Sequence, residues 1–344
     1  MDAVKLLEDM LALYSPSTRE GECVAYLVEA MEALGFQAHR DEVGNAVGVM
    51  GEGEREMVLL GHVDTVEGFI PVRREGDRLY GRGAVDAKGP LAAFVAAVAQ
   101  VGPRSGRRLV VVGAVEEEAA TSKGARHVAA RFAPRWAIVG EPSGWQGLTL
   151  GYKGRLLADY RLRRPASHSA APTRGVCEEA VDFWNALLAQ AEAFNRGKAL
   201  RFETLDLSLR SITSSSDGFN EEVRQTIGWR LPPGFDVAAL KAAVVDLAGG
   251  AEVRFRGQEP AFRGEKNTPL VRAFLQAIRQ EGGSPRFKVK TGTSDMNVVG
   301  PAWGCPIVAY GPGDSTLDHT PHEHLDLAEY RKAIAVLARV LRQF

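Results

Sequence analysis

The alternation of apolar and polar residues divides this chain into helices and strands. In the first part, helices are expected over residues 4–14, 20–34 and 90–101, and strands over residues 46–50, 57–60, 108–115 and 136–139. The helix over residues 90–101 is rich in alanine and valine and carries no charge, so we expect it to pack on more than one side. Strands that alternate with helices in this way indicate an α/β sheet covered on both faces.

The pattern changes after Tyr152. The elements expected next are a strand over 155–163, a helix over 176–195, strands over 205–212 and 223–231, a helix over 237–247 and a strand over 251–256. This β-α-β-β-α-β order is typical of a compact α+β unit whose sheet is open on one side. The earlier alternation resumes with helices over 269–280 and 327–342 and strands over 286–290 and 307–310. We therefore predict an α/β domain made of residues 1–152 and 263–344, with an α+β domain inserted at 153–262.

Composition narrows the class of protein. The 344 residues suffice for two domains with separate cores, and a net charge of −1 gives no reason to expect nucleic acid as a partner. No apolar run approaches the roughly 20 residues that cross a bilayer, and the amphipathic, partly acidic N-terminus does not resemble a signal peptide. Cys23, Cys177 and Cys305 lie far apart, which argues against a thiolate metal site and suits a reducing compartment. We expect a cytoplasmic protein without a membrane partner.

The first candidate chemistry follows the apolar run that ends at Leu60. His62 and Asp64 lie two residues apart, so in an extended segment their side chains point to the same face. A histidine beside a carboxylate is a common metal-site arrangement, in which the ion takes one ring nitrogen and the carboxylate holds the other N–H. Asp86 lies a short distance on, between a glycine-rich turn and Lys88-Gly89 at the start of a helix. A lone His-x-Asp pair is better explained as a structural hydrogen-bonded pair, but its combination with the Asp86 segment indicates a metal site.

Three further clusters each follow an apolar strand, where α/β sheets gather their ligands. They are Glu116-Glu117-Glu118, then Glu141, and finally the histidines at 319, 322 and 324. The glutamates alone would suit a solvated turn, and the histidines a chance surface cluster. Three carboxylates at the end of a buried strand repel one another, however, unless cations or a shared proton compensate.

The complete set contains two histidines and three carboxylates aimed at one pocket, with further acids beside them. Nitrogen and oxygen ligands without thiolate suit zinc, cobalt or manganese. Five ligands are too many for one catalytic zinc, but they suit two ions about 3.5–4 Å apart that share a carboxylate and a water. Asp86 is the natural bridge, and one glutamate of the triplet, left without an ion, is placed to take a proton from that water.

With these motifs the chain resembles the dinuclear metallohydrolases that include acetylornithine deacetylase, succinyl-diaminopimelate desuccinylase, aminoacylases and the carboxypeptidase G group. The resemblance extends over the whole chain and implies a zinc- or cobalt-dependent hydrolase of linear amide bonds. It implies five metal ligands: His62, Asp86, Glu118, Glu141 and His319. It also implies that Asp86 bridges the ions, and that His62 and Glu141 each serve a separate ion.

The resemblance also implies a choice of register at two positions. The family has a base followed by a ligand, with a glycine before a helix a few residues on; taking Gly124 as that glycine makes Glu117 the base and Glu118 the ligand. The three successive glutamates leave an ambiguity of one residue. The late histidine of the family precedes a glutamate by four positions, which selects His319, with Glu323, over the other two histidines. Asp64 is expected to assist catalysis beside His62.

The resemblance also assigns roles to the inserted domain. Family members use this domain as a lid that forms a homodimer, and its histidine, here His168, stabilises the oxyanion in the partner's active site. A surface histidine between two serines is the alternative interpretation. Asn220 and Arg230 resemble substrate-binding residues of the lid. Residues Gly292, Thr293 and Ser294 resemble the loop that lines the substrate carboxylate.

Within the family, the sequence of residues 83–89 and 292–297 is most similar to that of the enzymes that free lysine, or ornithine, from an amino-group carrier protein. That similarity implies lysine or arginine biosynthesis and a small acidic carrier protein as partner. Arginines on one lid strand would attract an acidic partner, although a solvated strand edge explains them equally well; they are Arg155, Arg161, Arg163 and Arg164. A plain N-acyl-amino-acid deacylase, a dipeptidase and a non-catalytic metal or amino-acid binding protein remain as alternatives.

Overall fold

The computed structural model describes residues 2–168, 170 and 172–344. These residues divide into two compact units. The first contains residues 2–151, 263–289 and 294–344, and the second contains Tyr152–Phe262 and Lys290–Thr293.

The helices and strands follow one another along both units. The helices are α1 (Ala3–Ala12), α2 (Gly21–Ala33), α3 (Lys88–Val101), α4 (Lys123–Arg131), α5 (Val176–Asn195), α6 (Val237–Leu247), α7 (Pro269–Gln280), α8 (Met296–Trp303) and α9 (Leu327–Leu341). The strands are β1 (Gln37–Arg40), β2 (Ala46–Met50), β3 (Arg55–His62), β4 (Arg73–Glu75), β5 (Arg78–Tyr80), β6 (Arg107–Ala114), β7 (Trp136–Val139), β8 (Gly147–Tyr152), β9 (Gly154–Pro165), β10 (Asp206–Ser216), β11 (Asn220–Leu231), β12 (Glu252–Glu259), β13 (Phe262–Arg263), β14 (Arg286–Lys290), β15 (Ile307–Ala309) and β16 (His324–Asp326).

The main sheet of the first unit is mixed, with a parallel centre. Its strand order is β1-β2-β6-β3-β7-β15-β8-β13, and β14 also pairs with β8. Strand β3 runs parallel to both β6 and β7, and β7 runs parallel to β15, whereas β1 and β2 are antiparallel. The carboxyl ends of β3, β6, β7 and β15 therefore meet at one edge of this sheet.

Helix α3 forms much of the core beside this sheet. Ten of its 14 residues are buried, including Leu91 and Phe94, which have no exposed surface. This confirms the prediction, made from its lack of charge, that the helix packs on more than one side. The sequence also sets several helix starts: side-chain oxygens of Asp236, Thr268 and Asp326 accept backbone N–H groups in the first turns of α6, α7 and α9.

The second unit is an antiparallel sheet with two helices. Its strand order is β10-β11-β9-β12, and α5 and α6 have the bounds that the sequence predicts. The apolar residues of β9 and β11 pack against α5; for example, the rings of Tyr160 and Phe183 stack with centroids 4.4 Å apart. Alternate residues of the same strands, such as Asp159, Arg161 and Glu222, are polar and lie outside this core. The α+β unit with a one-sided sheet is thus confirmed.

No helix among the described residues has the length and apolar character needed to span a bilayer. The three cysteines are free thiols.

Candidate metal centre

The parallel strands bring four of the candidate segments together at the carboxyl edge of the sheet. His62 is the last residue of β3 and lies opposite Ala114 of β6, while Leu60 lies opposite Val139 of β7. The triple glutamate begins two residues after β6 ends, and Glu141 follows β7 by two residues. The loop that carries His319 follows β15.

His62 is held by Asp64 and faces Asp86. Its Nδ1 lies 3.0 Å from the backbone oxygen of Asp64 and 3.4 Å from the carboxylate Oδ1 of the same residue. Its Nε2 lies 3.3 Å from Oδ1 of Asp86. Both His62 and Asp64 are buried, so the ring is held with one nitrogen directed at Asp86.

The other oxygen of Asp86 faces the late histidine. Nε2 of His319 lies 3.1 Å from Oδ2 of Asp86 and 2.8 Å from Oε1 of Glu118. Ligand atoms of Asp86, Glu118 and His319 all lie within 4.8 Å of one another. His322, in contrast, is exposed, and the ring of His324 packs on Tyr80 with centroids 4.8 Å apart. Of the three late histidines, the structure brings His319 to the acids.

The three successive glutamates have different surroundings. Glu116 has a positive φ of 59° and its carboxylate contacts Thr121 and Lys123. The backbone N–H groups of Glu117 and Glu118 donate to Oδ1 and Oδ2 of Asp64, each over 3.0 Å. Asp64 therefore orients His62 and also fixes the backbone from which the base and ligand candidates project.

The remaining carboxylate candidate, Glu141, is buried, as is Ser143 just beyond it. The Ser143 hydroxyl lies 3.0 Å from the backbone oxygen of Gly147 and accepts the N–H of Gly311 over 3.2 Å. The loops that follow β7 and β15 are thereby joined. Glu141 is close enough to Glu117 for its negative charge to raise the pKa of the Glu117 carboxyl.

Burial and the charges of neighbouring groups shift the pKa values of the site's acids and histidines. Burial, followed by the nearby carboxylates, raises the pKa of Glu117 well above its usual range, and burial and Asp86 raise that of Glu118. Burial would also raise the pKa of Asp86, but His319 and His62 hold it well below its usual range. Asp86 and Glu118 in turn raise the pKa of His319 to about 10. Positive charge on His62 and His319 thus stabilises the ionised form of Asp86, a role that divalent cations also fill.

The hydrogen bonding of His62 is also consistent with a metal ligand. Across residues 2–168, 170 and 172–344, the buried Nε2 of His62 makes no hydrogen bond of good geometry, although the Asp86 carboxylate faces it at 3.3 Å. A buried ring nitrogen without a hydrogen bond is costly, whereas a metal ligand needs that nitrogen free. The nitrogen and carboxylate ligands suit zinc or cobalt.

The candidate residues of the second unit lie in polar surroundings. His168 is exposed, and its Nδ1 accepts the N–H of Ala170 over 3.1 Å. Asn220 begins β11 and its backbone N–H donates to Asp217 over 2.7 Å. Arg230 donates to the hydroxyl of Thr293 over 2.7 Å, and that hydroxyl donates to the backbone oxygen of Lys153 over 3.0 Å.

Gly292 is partly exposed. Ser294 belongs to the first unit, where it is buried, and its backbone N–H donates to Asn297 over 2.9 Å. Arg230 and Thr293 are thus brought together in the second unit.

The four arginines of the lid strand already form ion pairs or hydrogen bonds within the second unit. Arg161 contacts Glu222 at 2.6 Å, Arg163 contacts Asp217 at 2.8 Å and Arg164 contacts Glu179 at 2.7 Å. Arg155 donates to the backbone oxygen of Gly257 over 3.1 Å. These contacts favour the solvated strand over a positively charged docking surface.

Sequence reasoning missed several polar residues that support the site. The Ser17 hydroxyl donates to Oδ2 of Asp64 over 2.7 Å, and the buried Glu20 accepts the N–H of Glu116 over 3.2 Å. Arg82 and Glu323 form a buried ion pair beside Asp86. From the sequence, Glu323 is recognised only by its spacing from His319. No local sequence pattern identifies residues that contact the site from distant parts of the chain.

A family model, relatives of similar sequence and a solved structure all relate this chain to metal-dependent or amide-cleaving hydrolases. The model of peptidase family M20/M25/M40 matches residues 58–343. A LysW-lysine hydrolase of Deinococcus radiodurans is 46% identical over 347 residues, covering 98% of this chain and 96% of that protein. A LysW-lysine/LysW-ornithine hydrolase of Saccharolobus solfataricus is 27% identical, covering 95% and 91%. The solved M20 family metallo-carboxypeptidase Sso-CP2 of Sulfolobus solfataricus shares the fold, with a TM-score of 0.80 at 20% identity and 99% of both chains covered.

Proposed function

Because this chain belongs to peptidase family M20/M25/M40, we propose that it is a metal-dependent amide hydrolase that releases lysine, or ornithine, from a conjugate with a small acidic amino-group carrier protein. The observation that carries this proposal is the near full-length similarity, at 46% identity, to a LysW-lysine hydrolase. The reaction would belong to lysine or arginine biosynthesis in the cytoplasm.

Two divalent ions, zinc or cobalt, are proposed for the centre. Asp86, Glu118 and His319 would hold one ion, since their ligand atoms converge. The other oxygen of Asp86 faces His62, so the remaining ligands His62 and Glu141 would hold the second ion together. In this respect the proposal departs from the expectation that His62 and Glu141 serve separate ions.

The protein's own residues supply proton transfer and orientation. When bound, the two cations would polarise the amide carbonyl and lower the pKa of the attacking water. As the water oxygen attacks the carbonyl carbon, Glu117 accepts the proton that the water loses, and returns it to the amine nitrogen when the C–N bond breaks. Asp64 keeps His62 and the backbone of Glu117 in place. A protein that only binds metal or amino acid has no need of such a base.

We propose that the second unit, with boundaries at residues 153 and 262, is the lid and forms a homodimer. Strand β10 is an edge strand of its sheet, and the apolar Ile212 on it is 47% exposed. His168 would stabilise the oxyanion at the partner's site, and Asn220, Arg230, Gly292, Thr293 and Ser294 would contact the substrate. The pairing of the four lid-strand arginines with acids or carbonyl groups gives no support to docking of the carrier on that strand.

The test is a comparison of substrates with the metal-loaded protein. We expect the highest kcat/KM for a carrier-protein conjugate in which lysine is joined to a terminal glutamyl group, followed by its ornithine counterpart. Acetylornithine, succinyl-diaminopimelate and dipeptides serve as the competing substrates. A higher kcat/KM for acetylornithine or for dipeptides would overturn the proposal and identify a deacylase or a dipeptidase.

A further inference from the structure

The buried ion pair between Arg82 and Glu323 lies directly behind the metal centre. Glu323 is 1% exposed and Arg82 is 7% exposed. Nη1 of Arg82 donates to Oε2 of Glu323 over 2.8 Å. The two residues belong to different loops: Arg82 lies in the turn before Asp86, and Glu323 lies four residues after His319.

The second oxygen of Glu323 holds the backbone of the bridging aspartate. Oε1 accepts the N–H of Val85 over 2.9 Å and the N–H of Asp86 over 3.0 Å. The backbone oxygen of Glu323 also accepts the N–H of Gly81 over 3.4 Å. An aspartate side chain is short, so the place of its carboxylate depends closely on its own backbone. Glu323 therefore determines where the two oxygens of Asp86 meet His62 and His319.

Arg82 extends the same support to the histidine loop. Its Nη1 donates to the backbone oxygen of Thr320, next to His319, over 3.1 Å, and its Nε donates to the backbone oxygen of Gly68 over 2.9 Å. His319 has a positive φ of 60°, a conformation that a non-glycine residue adopts only when its surroundings enforce it. The pair thus links the loop of Asp86 to the loop of His319.

We propose that Arg82 and Glu323 are a positioning pair that fixes Asp86 and His319 at the separation required to bind metal. This inference rests on the proposed function, since it assumes that Asp86 and His319 are metal ligands. Neither residue of the pair touches the reacting atoms. A buried carboxylate with three charge-assisted hydrogen bonds is rigid, and loss of one partner leaves an unpaired buried charge.

The test measures metal affinity and fold stability separately. The metal-free, full-length protein is titrated with Co²⁺ well below its unfolding temperature, and thermal unfolding is recorded for the same samples. In Glu323→Gln the amide oxygen still accepts the two N–H groups, but its NH₂ group faces the donor of Arg82. We expect Co²⁺ dissociation constants to rise by about 10–100-fold, the usual effect of residues that orient metal ligands.

The matched control is Glu281→Gln, which breaks contacts with Arg339 and Lys332 away from the centre. It should lower the unfolding temperature without changing Co²⁺ affinity. If Glu323→Gln does not fold, Arg82→Lys takes its place, because lysine keeps the charge but cannot reach Glu323, Thr320 and Gly68 together.

The outcomes distinguish this inference from the proposed function. Weaker Co²⁺ binding in the folded variant, with wild-type affinity in the control, supports the positioning role. Wild-type affinity in the folded Glu323→Gln or Arg82→Lys protein overturns that role and leaves the proposed function intact. A wild-type chain that binds no Co²⁺ overturns both.

Discussion

Asp64 accepts hydrogen bonds from the backbone N–H groups of Glu117 and Glu118, and Glu323 accepts them from Val85 and Asp86. In both cases a buried carboxylate holds the main chain from which a functional acid projects, and leaves the side chain of that acid to face the centre. The carboxylates of Asp64 and Glu323 hold backbone N–H groups, whereas those of Glu117, Glu118 and Asp86 are the candidates for base and metal ligands. Because all of these residues carry a carboxylate, the distinction lies in the hydrogen bonds that each one accepts.

The assignment of the base can be tested at this scale. Glu117→Ala should retain both metal ions while turnover falls by roughly 10²–10⁴-fold, the typical value of positioned proton transfer. Glu118→Ala should lose an ion, because its carboxylate converges with Asp86 and His319. Glu116→Ala is the control, since Glu116 contacts Thr121 and Lys123, and its turnover should stay near that of the wild type. Metal analysis and steady-state kinetics of the three variants test the assignment. Loss of metal from Glu117→Ala alone would mean that Glu117, and not Glu118, is the ligand.

The choice of histidine makes a second prediction. His319→Ala should reduce the metal content of the reconstituted protein from two ions toward one, because Nε2 of His319 faces both Asp86 and Glu118. His322→Ala should keep the full content, since His322 is exposed. Elemental analysis of both variants after dialysis gives the answer. The reverse pattern would mean that the loop after β15 presents a different histidine to the metal.

At the scale of elements, periodicity predicted long amphipathic helices well and interrupted ones poorly. Helices α5 and α6 have the bounds expected from their apolar spacing. Helix α8 was missed because Pro301 lies inside it and follows Gly300, and both residues oppose helix formation in an isolated segment. Tertiary contacts override that local preference. For the same reason local motifs and the family resemblance could indicate candidate metal ligands, whereas Arg82 and Glu323, 241 residues apart in sequence, were not recognised as a pair.

The edge strand β10 predicts how two copies would associate. Residues 211–216 read Ser-Ile-Thr-Ser-Ser-Ser, without the charge or proline that usually protects an unpaired edge. Beside it, α5 exposes Val181 by 49% and Leu188 by 37%. Ile212→Asp should therefore turn the proposed dimer into a monomer, as measured by size-exclusion chromatography with light scattering. Val245→Asp, at a residue 55% exposed on α6, is the control and should remain dimeric. A dimeric Ile212→Asp protein would exclude β10 from the interface.

At the scale of the whole molecule, the chain keeps its proposed metal ligands and the proposed oxyanion donor His168 in separate compact units. All five proposed ligands and Glu117 belong to the first unit, and His168 belongs to the second. Each unit has its own hydrophobic core. A donor on a separately folded unit can serve either its own chain or a second copy, and only a functional experiment on mixed dimers distinguishes the two.

We predict that His168 serves the partner's site. Negative charge develops on the carbonyl oxygen when water attacks, and a donor placed there is worth roughly 2.7–4 kcal/mol. His168→Ala and Glu117→Ala should each be nearly inactive alone. Mixed under conditions that exchange subunits, they form dimers in which one site combines an intact Glu117 with an intact His168 from the other chain. Activity should then return toward half of the wild-type value per mixed dimer. If exchange is demonstrated and activity stays absent, His168 acts within its own chain or takes no part in the reaction.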